Sequence, residues 1–178
     1  MTTSNISPIC QLGNPILRQI ASAIANVRDR DVQSLIEQLM SSLTESNGVG
    51  IAAPQLGRSL RIIIVASRPN PRYPHAPYME PVVMMNPYLR SHSEEVIKDW
   101  EGCLSIPGIR GLVPRYKSIE VEYTSCDGRL TRRTFSDFIA RVFQHEYDHL
   151  EGKVFLDRVE SSLEIITDVE YLKLGQKT

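Results

Sequence analysis

The chain has 178 residues and a formal net charge of −1, and 42% of its residues are hydrophobic and 23% charged. These values are typical of one globular domain with a single core, and they leave no basic surplus for binding nucleic acid or an anionic membrane. No apolar run approaches the ~20 residues that a membrane-spanning helix needs, and the first residues resemble neither a signal peptide nor an Arg-rich transit peptide.

The cysteine content indicates the redox compartment. Three cysteines are too few for a disulfide framework, and their number is odd. We therefore expect a reducing environment, in which a thiolate stays free to bind a metal ion. The chain shows no internal repeat and no linker, so residues 1–178 are predicted to form a single domain.

The first predicted helix lies within residues 29–48. Its apolar residues recur at offsets of three and four, which places them on one helical face. They are Val32, Leu35, Ile36, Leu39, Met40 and Leu43. Asp29 or Asp31 is expected to cap the N-terminus, and Gly48 follows the expected end.

Extended segments are predicted in the middle of the chain. Residues 61–66 form a β-branched run, which predicts a buried strand, whereas the proline-rich residues 67–81 predict a surface loop. Residues 82–87 and 94–105 have the composition of further strands.

The last third of the chain predicts a hairpin followed by two helices. Two extended runs flank the turn pair Asp127 and Gly128. Residues 136–152 form the second predicted helix, which stops at Gly152, and residues 161–174 form a weaker third one. The apolar side of the second helix carries Phe138, Ile139, Val142, Phe143 and Leu150. This order of elements predicts an α+β fold, with mixed or antiparallel strands surrounding a central helix, and with an N-terminal and a C-terminal helix.

The central helix carries a candidate metal site. His145 and His149 are four positions apart, so both imidazoles lie on the same helical face. Glu146 stands beside them and has the chemistry of a general base for hydrolysis. Two ordinary hydrogen-bonded helix histidines are the alternative, because this short pattern also occurs by chance.

A hydrolytic metal site needs a third protein ligand and one open position. A metzincin would have histidine where this chain has Phe155, which excludes that class. Glu170 stands where a thermolysin-like peptidase could use a glutamate. Cys103, in the segment EGCLS, is the other candidate, although a lone cysteine is more often a small buried apolar residue. The residues alone leave both candidates open, together with a purely structural metal site.

Three segments stand in order along the chain: GVGIAAPQ at 48–55, EGCLS at 101–105 and QHEYDH at 144–149. Together they resemble the peptide deformylase family, whose motifs are GxGxAAxQ, EGCxS and HExDH. The resemblance extends from NPILR at 14–18 to about residue 158. It implies a metal-dependent hydrolase that removes the N-formyl group from the N-terminal formylmethionine of newly synthesised polypeptides and releases formate.

The resemblance also implies the metal ligands. Cys103, His145 and His149 are expected to bind one divalent ion, with Fe²⁺ as the native ion and Zn²⁺, Ni²⁺ or Co²⁺ as substitutes. The nitrogen and sulfur donors suit Zn²⁺ and Fe²⁺ equally. One thiolate lowers the net charge of the site and weakens its polarisation of water, so a base and an oxyanion hole gain importance.

Further roles follow from the same resemblance. Glu146 is expected to be the catalytic acid and base. Gln55 and the backbone N–H of Leu104 are expected to stabilise the oxyanion that develops during amide hydrolysis. An intact Glu146 and Gln55 argue against a purely structural metal site, which needs neither.

The expected substrate site combines backbone pairing with a methionine pocket. The resemblance implies that Gly102 and the loop containing Gly50 pair with the peptide as an added strand. The pocket for the methionine side chain is predicted to be lined by Val49, Ile51, Phe138 and Val142. For Phe138 and Val142, helical spacing explains a place in the core equally well. Arg110 is predicted to lie at the cleft entrance.

Two further expectations concern the residues around the metal site and the cellular setting of the protein. Asp148 is predicted to pair with Arg115 and to orient the site, with a solvated surface ion pair as the alternative. The implied partners are N-formylmethionyl peptides and nascent chains, including chains at the ribosome, with no nucleic acid and no membrane. A monomer in the bacterial cytoplasm is the favoured setting, and a mature organellar form is left open.

Overall fold

The computed structural model describes residues 8–174. The predictions about the first residues and about a domain spanning 1–178 lie partly outside this described range. Three helices are present in the described range: α1 (Arg30–Glu45), α2 (Asp137–Leu150) and α3 (Asp168–Leu174). The strands are β1 (Gly50–Ala52), β2 (Ile62–Ser67), β3 (Met79–His92), β4 (Val96–Cys103), β5 (Ile106–Tyr116), β6 (Ser118–Thr124), β7 (Leu130–Ser136) and β8 (Ile165–Thr167).

The strands form two antiparallel sheets, one on each side of the central helix. The larger sheet has five strands in the order β1-β2-β3-β6-β7, and the smaller has three in the order β4-β5-β8. Helix α2 packs against β1, β2 and β7 of the first sheet and against β5 of the second. The predicted α+β class, with strands around a central helix, is therefore confirmed.

Strand β2 lies between the two main layers of the core, and all six of its residues are buried. Ile63 and Val65 pack in the cluster that contains Phe143 of α2, whereas Ile62 and Ile64 pack in the cluster on the α1 side. Successive side chains point to opposite faces of a sheet, so a strand covered on both faces must be apolar throughout. The β-branched run predicted this burial correctly.

Helix α1 follows its sequence signals closely. Asp29 is the N-cap, and its side chain accepts a hydrogen bond from the backbone N–H of Asp31 at 2.9 Å. Leu35 and Leu39 are fully buried beneath the helix. The helix ends at Glu45, shortly before the predicted stop at Gly48.

The C-terminal segment differs from the prediction of one helix over residues 161–174. It forms a 3-10 turn at Ser162–Glu164, then strand β8, then the short helix α3. Strand β8 pairs with β5 through its backbone. Apolar residues such as Leu163 and Val169 remain exposed, so hydrophobic periodicity does not determine this segment.

Other differences lie near the cleft. Residues 50–52 form β1, paired antiparallel with β2, where small residues predict only a loop. Strand β3 begins at Met79, inside the predicted proline-rich loop, and β5 was not predicted. The predicted hairpin around Asp127 and Gly128 is confirmed by the pairing of β6 with β7. Within residues 8–174, no helix is long and apolar enough to cross a membrane.

Candidate metal centre and active site

Three potential metal ligands meet where β4 ends against α2. Cys103 is the last residue of β4, and His145 and His149 project from α2. Their ligand atoms all lie within 4.8 Å of one another, and all three residues are buried. Cys103 Sγ is 3.3 Å from His149 Nε2. One sulfur and two nitrogen donors at this spacing fit a single zinc or iron ion.

The electrostatics of the cluster favour a thiolate. Burial opposes ionisation of Cys103, but the imidazoles of His149 and His145 hold the pKa of the thiol well below its ordinary value. The thiolate is the form of cysteine that binds metal ions. The protonation state of Cys103 and the geometry of the three residues therefore both fit a bound metal ion.

Glu101 orients one of the two imidazoles. Its Oε2 lies 2.8 Å from Nδ1 of His145, so Nε2 is the ring nitrogen left to bind an ion. Burial opposes ionisation of Glu101, but the charge and hydrogen bonds of Arg115 keep the pKa of this carboxyl below its ordinary value. Glu101 stands two positions before Cys103 on one strand, hence on the same face, and that spacing is a signal available from sequence.

Asp148 and Arg115 form the predicted pair, and the pair is buried. Arg115 Nη1 donates to Asp148 Oδ2 at 2.6 Å, and each side chain is only 4% exposed. A solvated surface pair is therefore excluded. Arg115 also donates to both carboxylate oxygens of Glu101, at 2.9 Å each, so Asp148 is linked to the histidine cluster.

Glu146 lies beside the potential ligands in a buried, confined position. Burial raises the pKa of its carboxyl to about 7, against the opposing effect of His145 and His149. Its Oε2 has no hydrogen-bond partner among the described residues. A Cβ atom at Gly50 would stand 2.8 Å from both Cγ and Cδ of Glu146, so a larger residue at this point of β1 would displace the Glu146 side chain.

Gln55 reaches the same cluster from the 3-10 turn at Ala53–Leu56. Its Oε1 accepts the backbone N–H of Ala52 at 2.9 Å. This bond turns Nε2 toward Sγ of Cys103 at 3.5 Å and Oγ of Ser105 at 3.2 Å. Ser105 is fully buried and is a site residue that sequence reasoning missed.

A cavity opens next to this cluster, and most of the predicted residues line it. The predicted substrate residues on its wall are Val49, Gly50, Gly102, Phe138 and Val142. The predicted catalytic residues and ligands on its wall are Gln55, Cys103, Leu104, His145 and Glu146. Residues of β1, the end of β4 and helix α2 therefore line one cavity.

Two of the predicted substrate residues lie outside this lining. Ile51 is fully buried on the α1 side, because alternation along β1 turns its side chain to the opposite face from its neighbours. Arg110 is 3% exposed and donates to Asp168 at 2.7 Å, with its guanidinium 4.3 Å from the ring centroid of Tyr171. Arg110 also lies 5.4 Å from the ring centroid of Tyr73, a residue of the cavity wall, so it packs behind the wall and not in the lining itself.

Other residues line the cavity without having been predicted. Tyr73 comes from the proline-rich segment and packs its ring on Phe138, with centroids 5.1 Å apart. Nothing in the local sequence indicates this contact. Arg141 precedes His145 by four positions on α2, and that helical spacing was an available signal.

The alternative ligand Glu170 is remote from this cluster. It lies on α3, its side chain is 57% exposed, and it pairs with Lys173 at 2.6 Å. The thermolysin-like arrangement is therefore absent from the described residues. A buried Cys-His-His group, a buried carboxylate with a raised pKa and an oriented amide in one cavity are the combination that metal-dependent hydrolysis requires.

Comparison with known proteins gives the family. The sequence model for polypeptide deformylase matches residues 6–164. The chain is 58% identical over 170 residues to peptide deformylase 2 of Nostoc sp. strain PCC 7120, with 96% of this chain and 95% of that protein covered. It is 44% identical to peptide deformylase 2 of Shewanella oneidensis, with 85% of this chain and 83% of that protein covered.

Solved structures agree with this match. The Met-Ala-Ser-bound class I type b peptide deformylase of Acinetobacter baumannii has a TM-score of 0.85 and 43% identity, covering 88% of this chain and 100% of that one. The actinonin complex of the Synechococcus elongatus peptide deformylase has a TM-score of 0.79 and 32% identity, covering 92% and 84%. The chain belongs to the polypeptide deformylase family. It is an enzyme that removes the N-formyl group from new polypeptides, as the motifs predicted.

Proposed function

We propose that one Fe²⁺ ion is held by Cys103, His145 and His149, with Zn²⁺, Ni²⁺ or Co²⁺ as substitutes. The observation that carries this proposal is the buried cluster of these three ligand atoms, all within 4.8 Å of one another. When bound, a divalent ion polarises the formyl carbonyl and lowers the pKa of the attacking water. A thiolate and two neutral imidazoles leave about one net positive charge on such a site, so the surrounding residues must contribute more to catalysis.

Glu146 serves as the general base and then as the general acid. It takes a proton from the attacking water and returns it to the leaving amine. Burial raises the pKa of this carboxyl above that of a surface glutamate, which makes it a stronger base for the first step. Its lack of a hydrogen-bond partner among residues 8–174 leaves Oε2 free for the water proton.

Gln55 and Leu104 stabilise the oxyanion. The Ala52 N–H fixes Oε1 of Gln55, so Nε2 is the donor that faces the cavity beside Cys103. The backbone N–H of Leu104 supplies the second donor next to the ligand cysteine. Donors fixed before the reaction need no reorganisation when charge develops on the carbonyl oxygen.

The peptide binds as a strand along the cavity. The segments around Gly50 and Gly102 both line the cavity, and extended peptides add to exposed strand edges of this kind. Val49, Phe138 and Val142 line the pocket for the first side chain, and methionine suits an apolar pocket because its thioether is flexible. The Acinetobacter relative was solved with Met-Ala-Ser bound, which supports a methionine-first peptide here.

The physiological substrates in this proposal are formylmethionyl nascent chains, met at the ribosome in the bacterial cytoplasm by a monomeric, single-domain enzyme. The formyl group is too small to give selectivity by itself. Selectivity therefore rests on the side chain that follows it.

Separate alanine substitutions of the two candidate third ligands, Cys103 and Glu170, test the proposal. Cys103→Ala should abolish stoichiometric metal binding and deformylation, because the cluster loses its only sulfur donor. Glu170→Ala is the matched control and should leave both near wild type, since Glu170 lies on the exposed face of α3. Metal analysis after anaerobic purification, with formate release measured on the same samples, distinguishes the two. Tight metal binding by the cysteine variant, with loss in the glutamate variant, would contradict the ligand assignment.

A further inference from the structure

We propose that Arg115 and Asp148 are positioning residues for the metal ligand His145, acting through Glu101. The inference rests on the proposed metal site and adds to it a second layer of residues that touch neither substrate nor ion. Its basis is a buried chain of alternating charges that runs from α2 across β5 to β4 and back to α2.

Glu101 is the link that touches the ligand, and its carboxylate is fully used. Oε2 accepts from His145 Nδ1 at 2.8 Å and from Arg115 Nη2 at 2.9 Å. Oε1 accepts from Arg115 Nε and from Arg141 Nη1, each at 2.9 Å. Three of these four bonds come from arginines, so the arginines determine where the carboxylate, and with it the imidazole, can lie.

Arg115 is held in turn by Asp148. Its fork faces Glu101 with Nε and Nη2, and its remaining Nη1 donates to Asp148 Oδ2 at 2.6 Å. A planar guanidinium that binds two carboxylates at once has very little freedom to rotate. Asp148 also accepts from Arg158, at 2.6 Å to Oδ1 and 3.1 Å to Oδ2.

The two candidate histidine ligands are supported unequally. His145 Nδ1 is bound to the charged Glu101 carboxylate, whereas the buried Nδ1 of His149 has no partner among residues 8–174. The charge chain thus fixes one imidazole before any ion binds. Its effect should appear in metal affinity and ligand geometry, which a role confined to folding would not change.

The test is a graded series of conservative variants. Ion-free Glu101→Gln should bind Zn²⁺ about 10–100-fold more weakly than the wild type in competition with a chromophoric chelator, the usual cost of losing such a partner. Asp148→Asn, two links further away, should lose affinity by a smaller factor. Arg115→Lys should resemble Glu101→Gln, because an ammonium cannot replace the fork. Glu151→Gln is the matched control. Glu151 follows α2 and pairs with Arg61, and neither residue belongs to the network of Asp148, Arg115 and Glu101.

Two further readouts separate positioning from folding. For Asp148→Asn at full metal occupancy, kcat should fall while KM for a formyl peptide stays unchanged, because Asp148 is absent from the cavity lining. The absorption spectrum of the Co²⁺-loaded variant should also shift. If Asp148→Asn and Arg115→Lys lower the unfolding temperature of the ion-free protein but leave Zn²⁺ affinity and the cobalt spectrum unchanged, the two residues are merely structural. A wild-type protein that fails to bind one ion would instead contradict the proposed metal site itself.

Discussion

At Glu146, burial acts on the carboxyl group that we propose as the general base. An ionised carboxylate without a hydrogen-bond partner is costly in a buried position, and this cost is what raises the pKa of Glu146 to about 7. A surface glutamate would be too weak a base at neutral pH for efficient proton transfer. Gly50 packs directly against the Glu146 side chain and limits where its carboxyl group can lie. This pair of residues therefore determines both the position of the carboxyl group and its burial.

Removal of the base should separate binding from turnover. Glu146→Ala is expected to keep the metal ion, because the three ligand residues are untouched, and to lose at least ~10²-fold in kcat. Metal analysis and steady-state formate release on the same preparation measure the two effects. Near-normal turnover by a fully metal-loaded variant would remove Glu146 from the mechanism.

Enlargement of Gly50 should act through Glu146. The new Cβ of Gly50→Ala would stand 2.8 Å from Cγ and Cδ of Glu146, so the carboxyl must move. A displacement on the order of 1 Å in an active site can cost ~10²-fold in rate. We expect a loss of kcat of that size with normal metal content and a normal unfolding transition. Wild-type kcat in this variant would show that the carboxyl has more room than the structure indicates.

At the scale of elements, helix α2 supports both the core and the site. One face carries the proposed ligands His145 and His149, and the opposite face carries Phe143, which is fully buried against the larger sheet. A helix packed between two sheets keeps its side chains in fixed positions, which suits the precise placement of ligands.

Truncation of the core face should therefore destabilise the protein. Phe143→Ala is expected to lower the free energy of unfolding by about 3–5 kcal/mol, since it leaves a cavity beneath α2. Leu130→Ala serves as the control, because Leu130 is 68% exposed and should change stability by less than about 0.5 kcal/mol. Denaturant unfolding measures both. Equal effects from the two variants would contradict the described packing.

The elements that the sequence predicted are those with strong local patterns. Helix α1 repeats its apolar residues over three turns and has a capping aspartate, so local signals determine it. Strand β1 is only three residues long and is recognised by its pairing with β2, which no local pattern encodes. Strand β8 likewise depends on backbone pairing with β5, and its exposed apolar neighbours resembled a helix.

At the scale of the whole molecule, the fold brings distant segments to one cavity. The proposed ligands come from β4 and α2, Gln55 from the turn after β1, and Tyr73 from the proline-rich segment. Residues of all three motifs line this cavity, as their shared resemblance to one family led us to expect. Sequence could not show that Ile51 faces the α1 cluster, or that Asp168 holds Arg110, because both depend on pairing between remote strands.

Selective formate release tests the central claim most directly. Anaerobically purified protein with one ion per chain should deformylate formyl-Met-Ala-Ser with a kcat/KM well above that for formyl-Ala-Ala-Ser, because an apolar pocket gains ~1–3 kcal/mol from each methylene-scale contact. Formyl-Asp-Ala-Ser and acetyl-Met-Ala-Ser should be very poor, since one desolvates a carboxylate and the other places a methyl group beside Gly50. Absence of formate from the formylmethionyl peptide, or equal rates on the methionyl and aspartyl peptides, would contradict a metal-centred deformylase that selects methionine.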